Sequence, residues 1–163
     1  MSELAARVGP TSLVLLGLAL TTPSSAAQTL TFSKILTSEQ ARCLRDLVEE
    51  STWKDDPTAY PDMLKVAQVA TAHLNTMGPT DYIYIMADGI NWCGTAGCQM
   101  LIGELQPGGS CRLLYNATGD RSFSVLRIQD HGYRRFYAPC EARFDGHEYQ
   151  QLHEDCPSLD VPH

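Results

Sequence analysis

Six cysteines, at positions 43, 93, 98, 111, 140 and 156, carry the widest chemical choice in this chain. As thiolates they can ligate a metal or attack a substrate; oxidised in pairs they only cross-link, and the redox compartment decides between these roles. The most distinctive run is Trp92-Cys93-Gly94-Thr95-Ala96-Gly97-Cys98. Two cysteines around four small residues can close into a compact ring, because glycine tolerates the positive φ that such a turn demands. Structural zinc sites space cysteines by about two to four residues and require four ligands. No second compact Cys/His pair accompanies Cys93 and Cys98, so no metal and no cofactor is expected.

Catalytic groups are sought next. The chain has no Gly-x-Ser-x-Gly elbow, P-loop, dinucleotide fingerprint or His-Glu-x-x-His run, and Gly108-Gly109-Ser110 reads as a turn. His73, His131, His147, His153 and His163 are scattered and read as surface residues. Asp130-His131 could belong to a triad, but oxidised cysteines leave it no activated nucleophile. Asp55-Asp56 and Glu154-Asp155 fall in polar stretches, where solvated charge is the default, and Asn116-Ala117-Thr118 is formally a glycosylation sequon. No catalytic residue is assigned, and a non-enzymatic protein is expected.

The compartment is read from residues 1–27. Arg7 is followed by the apolar run Ser12–Leu20, and Ser25-Ala26-Ala27 puts small residues before a cut at Gln28. That is the pattern of a cleavable signal peptide, whereas a membrane anchor would need roughly 20 apolar residues. A periplasmic or secreted protein is expected, not membrane-spanning. Disulfides then follow for all six cysteines. Cys93–Cys98 is assigned as a pair. The other four allow three pairings, among which spacing does not choose; Cys140–Cys156 would tie the tail to the last hairpin and leave Cys43–Cys111 to tether a helix. For a ring as small as Cys93–Cys98 the chain-entropy gain is only roughly 2 kcal/mol. Its expected role is therefore to shape a rigid hairpin tip, one that a partner could receive.

These residues need a scaffold. With 163 residues, 44% hydrophobic and 19% charged, the composition is that of a folded protein of one domain. Twelve Lys+Arg against 19 Asp+Glu, a net charge of −7, argue against nucleic acid as partner. Thr37-Ser38-Glu39-Gln40 resembles a capping box, and Ala41, Leu44, Leu47 and Val48 recur at helical spacing, predicting a helix over about 38–51. Residues 54–62 form a Pro-broken loop, and 63–74 is read as strand. Alternation then predicts strands at 81–87, 98–105, 111–117 and 123–128, closed by a hairpin in which Asp145-Gly146 links 140–144 to 147–149. The expected fold is α+β: an N-terminal helix packed on a mainly antiparallel meander, disulfide-stabilised, in one domain over 28–163, β-rich over 63–152, with an acidic tail at 153–163. Arg121, Arg127, Arg134, Arg135 and Arg143 crowd one stretch and read as solvated strand faces, with a docking patch as the alternative.

Residues from about 72 to 152 resemble a group of uncharacterised exported bacterial proteins. Members carry an Asp-rich D-L-N-G-D-G-x-x-D-Y turn, a C-G-[ST]-[AG]-G-C loop, a G-[YW]-R-D segment and a closing F-D-G-x-x-Y hairpin. Here the matching stretches are His73–Tyr82, Cys93–Cys98, Gly132–Arg135 and Phe144–Tyr149. The resemblance implies an exported α+β or mainly β domain and carries no established activity. The turn has lost acids of that pattern, keeping Asn75 and Asp81, so calcium is not expected, and Arg135 replaces the usual Asp. Some periplasmic lysozyme inhibitors also present a four-residue disulfide-closed loop; their plugging charge and imidazole are missing from Gly94-Thr95-Ala96-Gly97, so only geometry is shared. The expected function is binding of another protein or an envelope component through Trp92, Gly94, Thr95, Ala96 and Gly97. The rivals are a hydrolase assembled only in three dimensions and a purely structural envelope protein.

Overall fold

The computed structural model describes residues 27–88, 91–95, 97–138 and 140–152. Residues 1–26 of the expected 1–27 leader, Ala96, Cys156 and the expected tail at 153–163 lie outside the described residues, and with them any Cys140–Cys156 pairing. Elements follow in the order β1 (Gln28–Thr29), α1 (Ser38–Glu50), α2 (Ala59–Val66), β2 (Ala67–Ala72), β3 (Asp81–Met86), β4 (Cys93–Gly94), β5 (Gly97–Leu105), β6 (Cys111–Gly119), β7 (Ser124–Asp130), β8 (Tyr133–Tyr137), β9 (Glu141–Phe144) and β10 (Tyr149–Gln151).

All strand pairings are antiparallel, as expected, but the strands divide between two sheets. One runs β2-β3-β5, with β6 on the far side of β5 and short β4 beside its start; the other runs β1-β7-β8-β9-β10. The reason lies in β3. Tyr82, Tyr84 and Met86 fall on one face and Ile83 and Ile85 on the other, and every residue of the strand is buried. A strand apolar on both faces needs cover on both. Ile83, Ile85, Met100 and Ile102 share a core with Val125, Phe136, Phe144 and Tyr149 of the second sheet. Tyr84, Met86 and Leu101 share another with Leu44 and Leu47 of α1 and Met63 of α2.

The capping box forms: Thr37 Oγ1 accepts from Gln40 N (3.2 Å) and Gln40 Oε1 accepts from Thr37 N (2.8 Å). Cys43 of α1 is bridged to Cys111 of β6. Gly103 of β5 lies beneath, where a Cβ would stand 2.8 Å from Leu47 Cδ1 and 3.1 Å from Cys43 Sγ, so glycine admits the close approach. Farther along α1, Asp46 Oδ2 accepts from Cys111 N (2.9 Å) and Glu50 Oε2 from Leu113 N (2.7 Å), so carboxylates one helical turn apart take the amides that β6 turns away from β5. At the opposite margin Ser33 and Val69 exchange backbone hydrogen bonds of 2.8 Å.

Three expectations are corrected. Residues 63–66 complete α2 rather than begin a strand; Met63 is buried with Ala59 one turn earlier, and that helical spacing outweighs β-branched content. Tyr133–Tyr137 is an additional strand, β8. The Asp145-Gly146 hairpin closes through a four-residue loop, since Phe144 pairs with Tyr149. Gly146 alone of the two has positive φ, while Asp145 accepts from the amides of His147 and Glu148.

Candidate functional site

The Cys93–Cys98 hairpin is the first candidate. Cys93 and Cys98 are directly opposite partners across β4 and β5, with Cα atoms 3.9 Å apart, and they are disulfide-bonded. Gly94 pairs with Gly97, and Thr95 leads into the short connection between them. The two glycines are not equivalent. Gly97 has φ +118°, and a Cβ there would lie 2.6 Å from the Gly119 carbonyl oxygen, whereas Gly94 has open space around it. Gly94 and Thr95 are exposed. At the base, Trp92 O accepts from Gln99 N (2.6 Å), and the Trp92 ring meets Trp53 edge to face at 5.0 Å. The Trp53 indole N–H is buried without a partner. Nothing at the described tip titrates, so its chemistry is that of shape and contact.

A second assembly escaped the sequence reading. Asp81, Glu104 and Arg112 stand side by side on β3, β5 and β6, as paired positions of the register. Asp81 is fully buried and Glu104 is 5% exposed. Glu104 Oε1 accepts from Asn75 Nδ2 (2.7 Å) and from the Tyr133 hydroxyl (2.5 Å), and Oε2 accepts from Gln106 Nε2 (2.6 Å) and Arg112 Nη2 (3.0 Å). The Tyr133 oxygen in turn accepts from Asn75 Nδ2 and Arg112 Nη2. Asp81 Oδ2 accepts from the amides of Leu74 (2.7 Å) and Asn75 (3.2 Å), while Oδ1 has no partner. Asn75 and Asp81 are thus engaged within the fold.

Environment separates the two acids. Burial pushes Asp81 up to about 7, opposed by the Asn75 and Leu74 amides and reinforced by the charge of Glu104. Burial also raises Glu104, but hydrogen bonds from Tyr133, Asn75 and Gln106 together with the charge of Arg112 outweigh it and hold the carboxyl below its usual range. Tyr133 is pushed up to about 12, by burial first and then by the Glu104 carboxylate it bonds. One proton-holding acid beside one ionised acid is the pattern of general acid–base pairs. Here the two acids are enclosed, and solvent is reached through half-buried Asn75, Gln106 and Arg112, the Arg112 side chain being 43% exposed. The assembly clasps the two sheets together, reinforced where Arg134 N donates to Leu74 O (2.8 Å) and Thr76 N to Gly132 O (3.0 Å).

The other sequence candidates do not converge. His131 and Gly132, both with positive φ, form the two-residue turn between β7 and β8. Asp130 is taken by Arg135, whose Nε and Nη2 donate to its two oxygens at 2.6 and 3.1 Å while Nη1 reaches Glu141 (2.9 Å). Both Asp130 oxygens are therefore occupied by the Arg135 guanidinium. Asp55 and Asp56 are exposed, as are His73 and His147, and Asn116 accepts from Gln99 Nε2 at 2.6 Å. Among the described residues, Arg127, Gln129 and Arg134 line one surface cavity of about 440 Å³, and α1 acids with Gln106, Ser110, Cys111 and Arg112 line another of that size; histidine lines neither. Among the described residues no cluster of three His, Cys, Asp or Glu could hold a metal, and no helix is long and apolar enough to cross a membrane. Cys140 is disulfide-bonded. Compared with models of protein families, with curated proteins and with solved structures, the chain matches none.

Proposed function

We propose that this chain is an exported, non-enzymatic protein that binds another protein or an envelope component through the Cys93–Cys98 hairpin. The supporting observation is a closed tip that exposes Gly94 and Thr95 on a base buttressed by the Trp92–Trp53 contact. A disulfide across so short a ring adds little global stability, so its value lies in holding one loop shape before a partner arrives, which lowers the ordering cost of binding. In this reading α1 is the layer packed on the hairpin-bearing sheet, tied to it by Cys43–Cys111. Export rests on residues 1–27, and N-terminal sequencing of protein recovered from the periplasm is expected to begin at Gln28.

The tip is tested with a partner captured from an envelope extract, purified, and titrated against three forms of the protein. Thr95→Arg and Cys93→Ser/Cys98→Ser are expected to weaken binding about tenfold or more, the cost of one lost anchor at an interface. Gln150→Arg, on exposed β10, is expected to bind as wild type does. Equal affinity across all forms removes the hairpin from the function.

A further inference from the structure

The five arginines that crowd the sequence do not share one fate. Between Val125↔Phe136 and Gln129↔Arg134 the β7–β8 register shifts, so Leu126, Arg127 and Ile128 stand opposite Arg135 alone. Such bulges re-aim side chains and recur beside binding sites. Arg127 of the bulge, Gln129 and Arg134 line a cavity of about 440 Å³. The carboxylates that could neutralise it, Asp130 and Glu141, are both held by Arg135. Arg127 and Arg134 make no ion pair with any described residue. Two uncompensated guanidiniums thus face one groove in a protein whose net charge is −7, so the local field opposes the global one and selects for an anion.

We propose that this groove binds a phosphate-bearing small molecule of monosaccharide size. Guanidinium forks match phosphate oxygens in bidentate geometry and bind a dianion better than a single carboxylate. The Gln129 carboxamide offers both a donor and an acceptor, the complement of sugar hydroxyls. The volume falls in the range of small-molecule sites, about 300–1,000 Å³.

Titration calorimetry at low salt with glucose 6-phosphate, inorganic phosphate, glucuronate, glucose and phosphatidylglycerol vesicles tests this. Saturable 1:1 binding of glucose 6-phosphate is expected, with weaker inorganic phosphate and glucuronate and no response to glucose. Arg127→Gln and Arg134→Gln should each weaken it by about tenfold or more, the loss of a charge-assisted hydrogen bond, with melting temperatures confirming the fold. Gln129→Ala should weaken the sugar phosphate and leave inorganic phosphate unchanged. Arg143→Gln, which does not line the groove, should stay within about twofold of wild type, because an exposed charge that makes no contact with the ligand is screened. The site is refuted by no saturable binding, by glucuronate or inorganic phosphate binding as tightly as glucose 6-phosphate, or by Arg143→Gln matching Arg127→Gln. Binding to vesicles alone refutes it too, and would mark a membrane-surface patch.

Discussion

The hairpin tip and the Asp81–Glu104 clasp solve opposite problems. The tip is built from seven consecutive residues, has no described titratable group, and takes its shape from backbone pairing and one disulfide. The clasp gathers Asn75, Asp81, Glu104, Gln106, Arg112 and Tyr133 from separated segments, and its carboxylates and hydroxyl bond one another's neighbours internally, with Asp81 Oδ1 and Arg112 Nε left unpartnered. A region that holds a fold together keeps its chemistry enclosed, where the low dielectric strengthens each bond and punishes each missing one. A region that meets a partner can spend very little on stability and must keep its surface free.

The contrast breaks most visibly at Glu104. Glu104→Ala would strand Arg112, Asn75, Gln106 and Tyr133 at once, and urea denaturation at pH 6 should show a loss of about 4 kcal/mol, as for one partner removed from a buried ion pair. A loss below about 1 kcal/mol would mean that water substitutes freely and that the clasp is no more than a surface pair.

Asp81→Asn sharpens the same region through pH. The native carboxyl keeps its proton up to about 7, while the unfolded chain releases it near 3.8. Its stabilising contribution is therefore complete below pH 3.8 and disappears as pH rises toward 7. Glu104 has the opposite sign: its folded pKa is depressed, so its contribution holds at neutral pH and is lost as pH falls through that value. Asparagine retains an acceptor for the Leu74 and Asn75 amides but cannot ionise. The variant should gain on wild type by about 1 kcal/mol per pH unit between pH 4 and 7, then stay level. A difference that is constant from pH 4 to 8 would refute burial as the cause.

At the hairpin the effects shrink. Cys93→Ser/Cys98→Ser should cost about 2 kcal/mol or less in the same assay, yet weaken partner binding about tenfold or more. Gly94→Ala, with open space around its Cβ, should stay within about 0.5 kcal/mol of wild type. A Gly94→Ala loss comparable to that of Glu104→Ala would make the tip part of the core and erase the distinction.

Legibility followed sequence distance. The capping box, α1 and the alternation in β3 were readable because each signal sits within one element. Cys93 and Cys98 were readable as a pair because two glycines lie between them. The clasp was not, although a signal existed: Asp81 opens an otherwise apolar strand, and Glu104 interrupts the run Met100–Leu105. In a strand covered on one side, such acids face water and need no comment. Only the second sheet, invisible to local patterning, turns their face inward. Strand β8 was missed for a related reason, since Arg134 and Arg135 disguise a strand whose buried members are Tyr133 and Phe136.

The two carboxylates that α1 lays against β6 carry a further consequence. A strand margin with free amides is a template on which another chain can add itself, and long uncovered margins are where β-rich proteins begin to aggregate. With Asp46 and Glu50 holding the Cys111 and Leu113 amides, and Ser33 pairing with Val69 across the sheet, those positions offer an incoming strand no donors. Fixed negative charge at the β6 margin also repels the carbonyls such a strand would present. The disulfide from Cys43 to Cys111 then acts as a lock on this guard: while it is closed, the helix cannot lift and the margin stays occupied, whatever the crowding outside.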